Sequence, residues 1–374
     1  MIGWYLIGIL GLALLMVVHE GGHFLAARAA GMRVTKFSIG FGPTFFKVLP
    51  KDGYFWFTTA ADKIRVRLWR HDPERHGPTI YQVAMIPFLA YVQIAGMNPL
   101  EEVDPTDKGS YANAGLLARI SAIFSGPAAN YLFASVLFFT SLMIGGKPVP
   151  PDSKSFLPTQ VDVLAGTPAA AANLRDGDKV VEVGGTPVEA WGKMAEIISK
   201  NPGKPLPMVV ERDGKRLDVT VTPEDKNGKG MIGVAMHIQR APVSVKEAAL
   251  LSVKMPPKVV ENLVVSLGQY ITGKADGELG GPTRMIKETA QVAKRGWPEL
   301  LEFLGALSAY LGAFNLIPFP ALDGGRLMFL FYEATTRRRP NARIEAHIHA
   351  IGLVMLLGLM IYVTVANDFG LGSK

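Results

Sequence analysis

Five consecutive residues, His19-Glu20-Gly21-Gly22-His23, offer the most specific chemistry in the chain. On a helix, positions i and i+4 share one face, so two imidazoles at this spacing can reach a single metal ion. The glutamate between them is close enough to hold a water bound to that ion. The motif closes an apolar run, where each ionisable side chain is unfavourable by roughly 2.5 to 3.5 kcal/mol on insertion scales and is therefore kept for function. The competing reading is a pair of buried histidines satisfied by hydrogen bonds, and the setting favours zinc. The chain contains no cysteine, so a metal must be held by His, Asp or Glu, and disulfides, thiolate sites and a cysteine nucleophile are excluded.

A hydrolytic zinc keeps three protein ligands and one open position. His71 and His76 lie in a charged stretch, His237 in a later module, and His347 and His349 beside a basic cluster, which makes them poor third ligands. Asp323 is better placed, at the end of Asn315-Leu316-Ile317-Pro318-Phe319-Pro320-Ala321-Leu322-Asp323-Gly324-Gly325. Its prolines and glycines interrupt an apolar helix, and irregular backbone at membrane depth is tolerated only where it is buried in protein or lines a wet cavity. Alone, Asp323 would read as a helix-end residue; beside the first motif it reads as the third ligand.

The elements that must position these groups are apolar. The chain of 374 residues is 49% hydrophobic and 19% charged, and a bilayer core needs about 20 apolar residues in a helix. Four transmembrane helices are expected, at residues 1–30, 119–147, 298–325 and 347–367. The first run, 4–18, has neither a basic segment before it nor a small-residue cleavage site after it, and is read as retained. Basic residues from Arg33 to Arg75, Lys63 among them, and Arg337, Arg338, Arg339 and Arg343 mark residues 31–118 and 326–346 as cytoplasmic. Both termini and residues 147–297 then lie outside. The net charge of +7 is thus read as orientation, and nucleic acid is not expected as a partner.

Within 31–118, residues 45–49 and 54–58 flank Lys51-Asp52-Gly53, and 64–68 alternate with period two, which predicts a β-hairpin at the membrane interface. A small soluble hairpin under the helices is the alternative. Residues 241–297 read as amphipathic, with helices at 245–267 and 283–294 separated by Gly280-Gly281-Pro282.

Between them, residues 155–240, with the module proper from Phe156 to Gln239, have strand and turn signals around Gly166-Thr167-Pro168-Ala169, Leu174, Gly177-Asp178 and Val209-Val210-Glu211-Arg212-Asp213-Gly214. This order resembles a PDZ domain of the circularly permuted bacterial type. The resemblance implies peptide binding by strand addition, with Met231, Ile232 and Gly233 at the carboxylate loop; a spacer that binds nothing is the alternative.

Taken together, the chain resembles the site-2 protease family of intramembrane zinc metalloproteases, peptidase family M50, in its bacterial branch like the regulator-of-sigma-E proteases but with a single PDZ domain. The motifs are His19 to His23 continued by Phe24-Leu25-Ala26-Ala27-Arg28, then Phe37-Ser38-Ile39-Gly40-Phe41-Gly42-Pro43, Gly126-Pro127 with Asn130, and 315–325. The fold implied is a polytopic α-helical membrane protein with a membrane-associated β-hairpin and an inserted α+β PDZ domain. The resemblance implies one Zn2+ per chain on His19, His23 and Asp323, Glu20 as general base, and Asn315 near the substrate or the developing oxyanion. It also implies a bacterial inner membrane location with the active site toward the cytoplasm. Its implied substrates are membrane proteins with one transmembrane segment, anti-sigma factors or remnant signal peptides, already trimmed by another protease.

The hairpin between Phe45 and Thr58 is expected to pair with the unwound substrate. One departure from the family is Phe88-Leu89-Ala90 after Ile86-Pro87, bulkier than the usual Pro-Leu-Gly-Gly-Tyr pattern and so expected to alter the substrate groove. Two other classes compete. A metal-ion transporter would also bury ionisable residues on broken helices, but needs no glutamate directly after the first histidine, and no inverted repeat is visible. A non-catalytic PDZ membrane scaffold would leave His19, Glu20, His23 and Asp323 without a purpose.

Overall fold

The computed structural model describes residues 2–59, 64–149, 158–164, 166–226, 228–237, 239–272 and 281–365. Lys63, the start of the expected module at 155–157 with Phe156, Gly280, and residues 366–367 of the expected last helix lie outside these. The chain divides into two compact units, Met1–Ile144 with Ser244–Lys374, and Gly145–Val243.

The N-terminal run is free of proline and of charge until Glu20 and forms one helix, α1 (Ile2–Ala29), with the His-Glu-Gly-Gly-His motif toward its C-terminal end. It is closed by Gly31 at φ 75, a left-handed conformation that glycine adopts without a steric penalty. The predicted hairpin follows, turned by Asp52 and Gly53, both at positive φ as a two-residue turn requires. It is part of a larger sheet. Strands β1 (Val34–Lys51), β2 (Tyr54–Thr59), β3 (Arg65–Arg70) and, after the short helix α2 (Pro73–His76), β4 (Ile80–Ile94) are ordered β3-β2-β1-β4.

β4 lies against both halves of β1: Phe37 stands opposite Val92 and Tyr81, and Phe46 opposite Val83. Both strands of the hairpin are therefore already partnered, β2 by β1 and β3, β1 by β2 and β4. A hairpin alone was expected because β4 joins β1 through a non-local pairing that local alternation does not report. β4 also runs through Phe88-Leu89-Ala90; the side chains of residues 87–89 lie outside the described residues.

The next long helix, α3 (Leu116–Gly145), carries no charge after Arg119 and has Pro127 inside it. The second unit comes next in the chain. It contains β5 (Lys147–Pro148), β6 (Val161–Val163), α4 (Pro168–Ala171), β7 (Lys179–Val183), β8 (Thr186–Pro187) and α5 (Trp191–Ser199). It continues with β9 (Leu206–Arg212), β10 (Lys215–Val221), β11 (Glu224–Lys226), β12 (Lys229–Met231), β13 (Val234–Met236) and β14 (Arg240–Ala241).

Its main sheet is ordered β10-β9-β7-β8, and β13 pairs with β6. Asp213 and Gly214, at positive φ, turn the β9–β10 hairpin where the sequence called for it. The inward faces supply a core of its own, with Val161, Val183, Val210 and Val221 fully buried and Met194 and Met208 beside them. Inside that core edge, the Asp178 carboxylate, 1% exposed, receives both Nε and Nη2 of Arg212 at 2.7 and 2.6 Å.

The first unit resumes with α6 (Val245–Ile271), α7 (Pro282–Ala293), α8 (Trp297–Asn315), α9 (Asp323–Thr336) and α10 (Ala342–Val363). Among the described residues three helices are long and apolar enough to cross a membrane: Gly3–Ala29, Leu116–Gly145 and Ala342–Val363. The expected third span is not one helix: α8 opens with Glu299 and Glu302 and stops at Asn315, because Pro318 and Pro320 cannot continue it. The expected basic loop at 326–346 is mostly helical, since Asp323 opens α9 and Asn341 caps α10 by accepting from the Arg343 and Ile344 amides.

Three apolar clusters hold the helices together. Leu15, Leu137, Leu300 and Leu304 join α1, α3 and α8; Ala27, Val34, Ile94 and Ala122 join α1 and α3 to the sheet; Phe138 and Ala309 are covered by Met255 and Val259 of α6.

Burial opposes the ionisation of Asp178, but the Arg212 guanidinium overrides it and holds the carboxyl below the usual carboxylate range. A depressed folded-state pKa gives stability that is complete above the unfolded value of about 3.9 and is lost as pH falls through the folded one. Amide exchange at Val180 and Val210 in the full chain, corrected for intrinsic rates, should accelerate below about pH 4. Arg212→Ala should remove that dependence and raise exchange at neutral pH.

Candidate metal centre

The motif helix and α9 approach each other across α3. His19 and His23, one turn apart on α1, are 4% and 8% exposed. Asp323 is the first residue of α9. Asp323 Oδ2 lies 3.1 Å from His19 Nε2 and 3.3 Å from His23 Nε2, and the two Nε2 atoms are 3.2 Å apart. The three atoms form a nearly equilateral triangle. A tetrahedral zinc with bonds of about 2.0–2.1 Å would require ligand atoms about 3.3 Å from one another, which is the spacing observed.

The opposite side of each ring explains what these atoms carry. His23 Nδ1 donates to the carbonyl of Ala122 on α3 at 2.8 Å, leaving Nε2 as a bare lone pair. The Asn130 side-chain amide, also on α3, lies 3.3 Å from His19 Nδ1. Asn130 is fully buried and its Oδ1 meets no partner among the described residues. The two ends of an amide are exchanged by a half-turn, and the hydrogen-bond network decides between them. With the oxygen toward His19, Nδ1–H donates to it; with the nitrogen toward His19, Nδ1 accepts. In the tautomer with both rings protonated on Nδ1, the two Nε2 atoms and the Asp323 carboxylate direct their lone pairs at one point, and the residues present fit a metal cation there.

Close helix approach makes this possible. A Cβ at Gly22 would meet the Ser125 carbonyl oxygen at 2.2 Å, and one at Gly126 would meet His23 Nε2 at 2.3 Å. Glycine at both positions lets α1 and α3 touch at the level of the ligands. In the first turn of α3, one turn before Ala122, Arg119 grips Glu333 of α9 in a two-pronged ion pair of 2.9 and 2.5 Å, both side chains largely buried. Removing one partner of such a pair typically costs about 3–5 kcal/mol, so the pair is a strong tie between α3 and the helix that begins with Asp323.

The remaining residues singled out in the sequence fall differently. Glu20, half-buried, faces the backbone amide of Val92 on β4, which brings the outer half of that strand to the motif. Asn315 is the last residue of α8, and its Nδ2 donates to Leu311 of its own helix at 3.0 Å, so no hydrogen bond joins it to the cluster. Met231, Ile232 and Gly233 belong to the second unit. There Met231 is exposed and Ile232 buried, and the Ile232 and Gly233 carbonyls accept from Ala169 and Leu164.

Sequence reasoning passed over Ala122, whose contribution is a backbone atom. It noted Asn130 only as part of a motif; the signal that could have singled it out is a buried amide on an otherwise apolar span.

Comparison with known proteins agrees with this geometry. The model of the family described as Peptidase family M50 matches residues 7–61 and 64–359. A protein of Nostoc sp., all3971, provisionally named a zinc metalloprotease, is 30% identical over 97% of this chain and 95% of its own length. The zinc metalloprotease RasP of Geobacillus kaustophilus is 30% identical over 94% of each chain. Among solved structures, the PDZ domain of an SdrC-like protein from Listeria monocytogenes is similar with 19% identity and a TM-score of 0.20, covering 22% of this chain and 92% of that domain. The match extends over nearly the whole chain, with the His-Glu-Gly-Gly-His helix inside it, and the chain belongs to peptidase family M50, as an intramembrane zinc metalloprotease of the site-2 type.

Proposed function

We propose that His19, His23 and Asp323 hold the catalytic zinc and that Glu20 is the general base for hydrolysis of peptide bonds in transmembrane substrates. The observation that carries this reading is the triangle of His19 Nε2, His23 Nε2 and Asp323 Oδ2, with sides of 3.1, 3.2 and 3.3 Å. Zinc bound there supplies Lewis acidity, lowering the pKa of water and polarising the scissile carbonyl. Glu20, adjacent to His19 on the same helix, takes the proton of the attacking water and passes it to the leaving amine. Asn315 contributes to the oxyanion only after its amide leaves the Leu311 carbonyl.

A helical substrate hides its carbonyls in its own hydrogen bonds and must unwind before attack. The hairpin at 45–58 cannot supply the replacement bonds, because both its strands are partnered. The outer edge of β4 is the better partner: among the described residues no strand lies beyond it in the sheet, and the Val92 amide on it faces Glu20. Strand addition there sets the substrate backbone beside the base.

Four spans, with α8 as the third, keep both termini and Gly145–Val243 outside a bacterial inner membrane, by the distribution of arginine and lysine. The second unit is read as a PDZ domain from its own element order, with a carboxylate loop at Met231, Ile232 and Gly233. Its role is to admit substrates that another protease has already trimmed.

Elemental analysis of the detergent-purified protein should find about one zinc per chain, lost in His23→Ala and in Asp323→Ala. Asn130→Ala should keep the fold but weaken zinc affinity by about 10- to 100-fold, the usual effect of losing a hydrogen bond behind a ligand; unchanged affinity would remove Asn130 from the centre. Glu20→Gln should retain zinc and lose about 10²- to 10⁴-fold in kcat, and full activity in that variant would sink the proton-transfer scheme. Deleting residues 156–239 should allow untrimmed substrates to be cut; the same selectivity with and without them counts against a filter.

A further inference from the structure

The helix α10 presents an almost wholly apolar, exposed surface, including Ile351, Val354 and Leu357. Its polar contact with the metal-ligand segment is made by His349, whose Nδ1 accepts the Ala321 N–H at 3.0 Å. Ala321 stands two residues before Asp323 and has φ 75, a left-handed conformation uncommon for residues other than glycine. The turn's own carbonyls serve other amides: Phe319 O accepts from Leu322, and Leu322 O from Gly325. The strained residue is thus held from outside, by a neighbouring helix.

Two further observations show that this contact is the reason for a histidine here. One turn along, a Cβ at Gly352 would meet Pro320 Cβ at 2.3 Å and its carbonyl oxygen at 2.6 Å. Glycine there lets α10 sit directly on the turn. With Nδ1 accepting, the proton resides on Nε2, which is buried and finds no partner among the described residues. A buried N–H without an acceptor is unfavourable, and an apolar side chain would fill the space against Phe329, whose ring centroid is 5.5 Å away, without that penalty. Packing alone does not favour histidine at this position; the Nδ1 contact does.

We propose that His349 is a positioning residue for the metal centre: from α10 it fixes the Ala321 amide and so keeps Asp323 within ligand distance of His19 and His23. This rests on the reading of those three residues as the zinc ligands. It gives the last apolar helix, which supplies no ligand, control over metal affinity.

The test uses full-length, metal-stripped protein in detergent. Zinc affinity is measured by competition with a chromophoric chelator, and the ligand field by the visible absorption of the Co2+ form. His349→Phe keeps the ring volume and removes the acceptor; its zinc Kd should rise about 10-fold or more, with altered cobalt bands. His349→Asn puts an acceptor oxygen at the position of Nδ1 and should recover most of the affinity and the wild-type bands. Gly352→Ala, which lifts α10 off the turn with the imidazole intact, should raise the Kd in the same direction. Wild-type affinity and spectrum in His349→Phe overturn the proposal, as does equal impairment of the Phe and Asn variants. Should the Phe variant not fold, an unchanged Kd in Gly352→Ala overturns it. Wild-type protein that takes up no zinc refutes the ligand reading itself, and with it this role; zinc uptake with no effect of the variants refutes this role alone.

Discussion

Two imidazole nitrogens and a carboxylate oxygen lie within 3.3 Å of one another, and with lone pairs facing inward they would repel one another without a cation between them. This repulsion is the constraint on which the rest of the first unit depends. The hydrogen bonds that make the arrangement definite lie behind the ligands. The Ala122 carbonyl accepts from His23 Nδ1, so the neutral ring carries its lone pair on the facing Nε2, and the Asn130 amide stands behind His19 in the same way.

Seen this way, α3 is the frame of the centre although it donates no ligand. It touches α1 through Gly22 and Gly126, turns both histidines, and grips α9 through Arg119 and Glu333. A helix that apolar could be taken for a mere membrane anchor. Several of its polar groups instead face inward: Asn130 is fully buried, Ser141 donates to the Pro298 carbonyl, and the Asn130 carbonyl accepts from Ser308 of α8. In a hydrocarbon setting, polar atoms of this kind find partners inside the protein or not at all, and here one of them, the Asn130 amide, stands against His19.

The second unit rests on different physics. It has a sheet, a separate valine and methionine core, and a buried ion pair at its edge, so its stability is that of a small soluble domain with hydrophobic burial as the driving term. The first unit exposes its apolar helices and uses close packing and hydrogen bonds to join them. One chain thus carries two solutions to folding, each suited to its solvent.

What the sequence determined by itself was local. The helical spacing of His19 and His23, the apolar spans of α1 and α3, the Asp-Gly turns at 52–53 and 213–214, and the break after Asn315 are all consequences of neighbouring residues, and each was legible. Asp323 was legible as a candidate ligand, but only because a charged residue beside broken apolar helix has few other uses, and the structure brings it to His19 and His23. The tertiary structure decided the rest. It turned an expected hairpin into a four-stranded sheet, because β4 pairs with β1 across a long separation. It extended helix α9 through an expected loop, turned Asn315 back onto its own helix, and set Ala122 and Asn130 behind the two histidines and His349 against Ala321. His19 and Asp323 are 304 positions apart, and no window of sequence contains both. Their meeting depends on how closely three helices can pack, which is set by side-chain volumes on opposing faces and not by the pattern along any one of them.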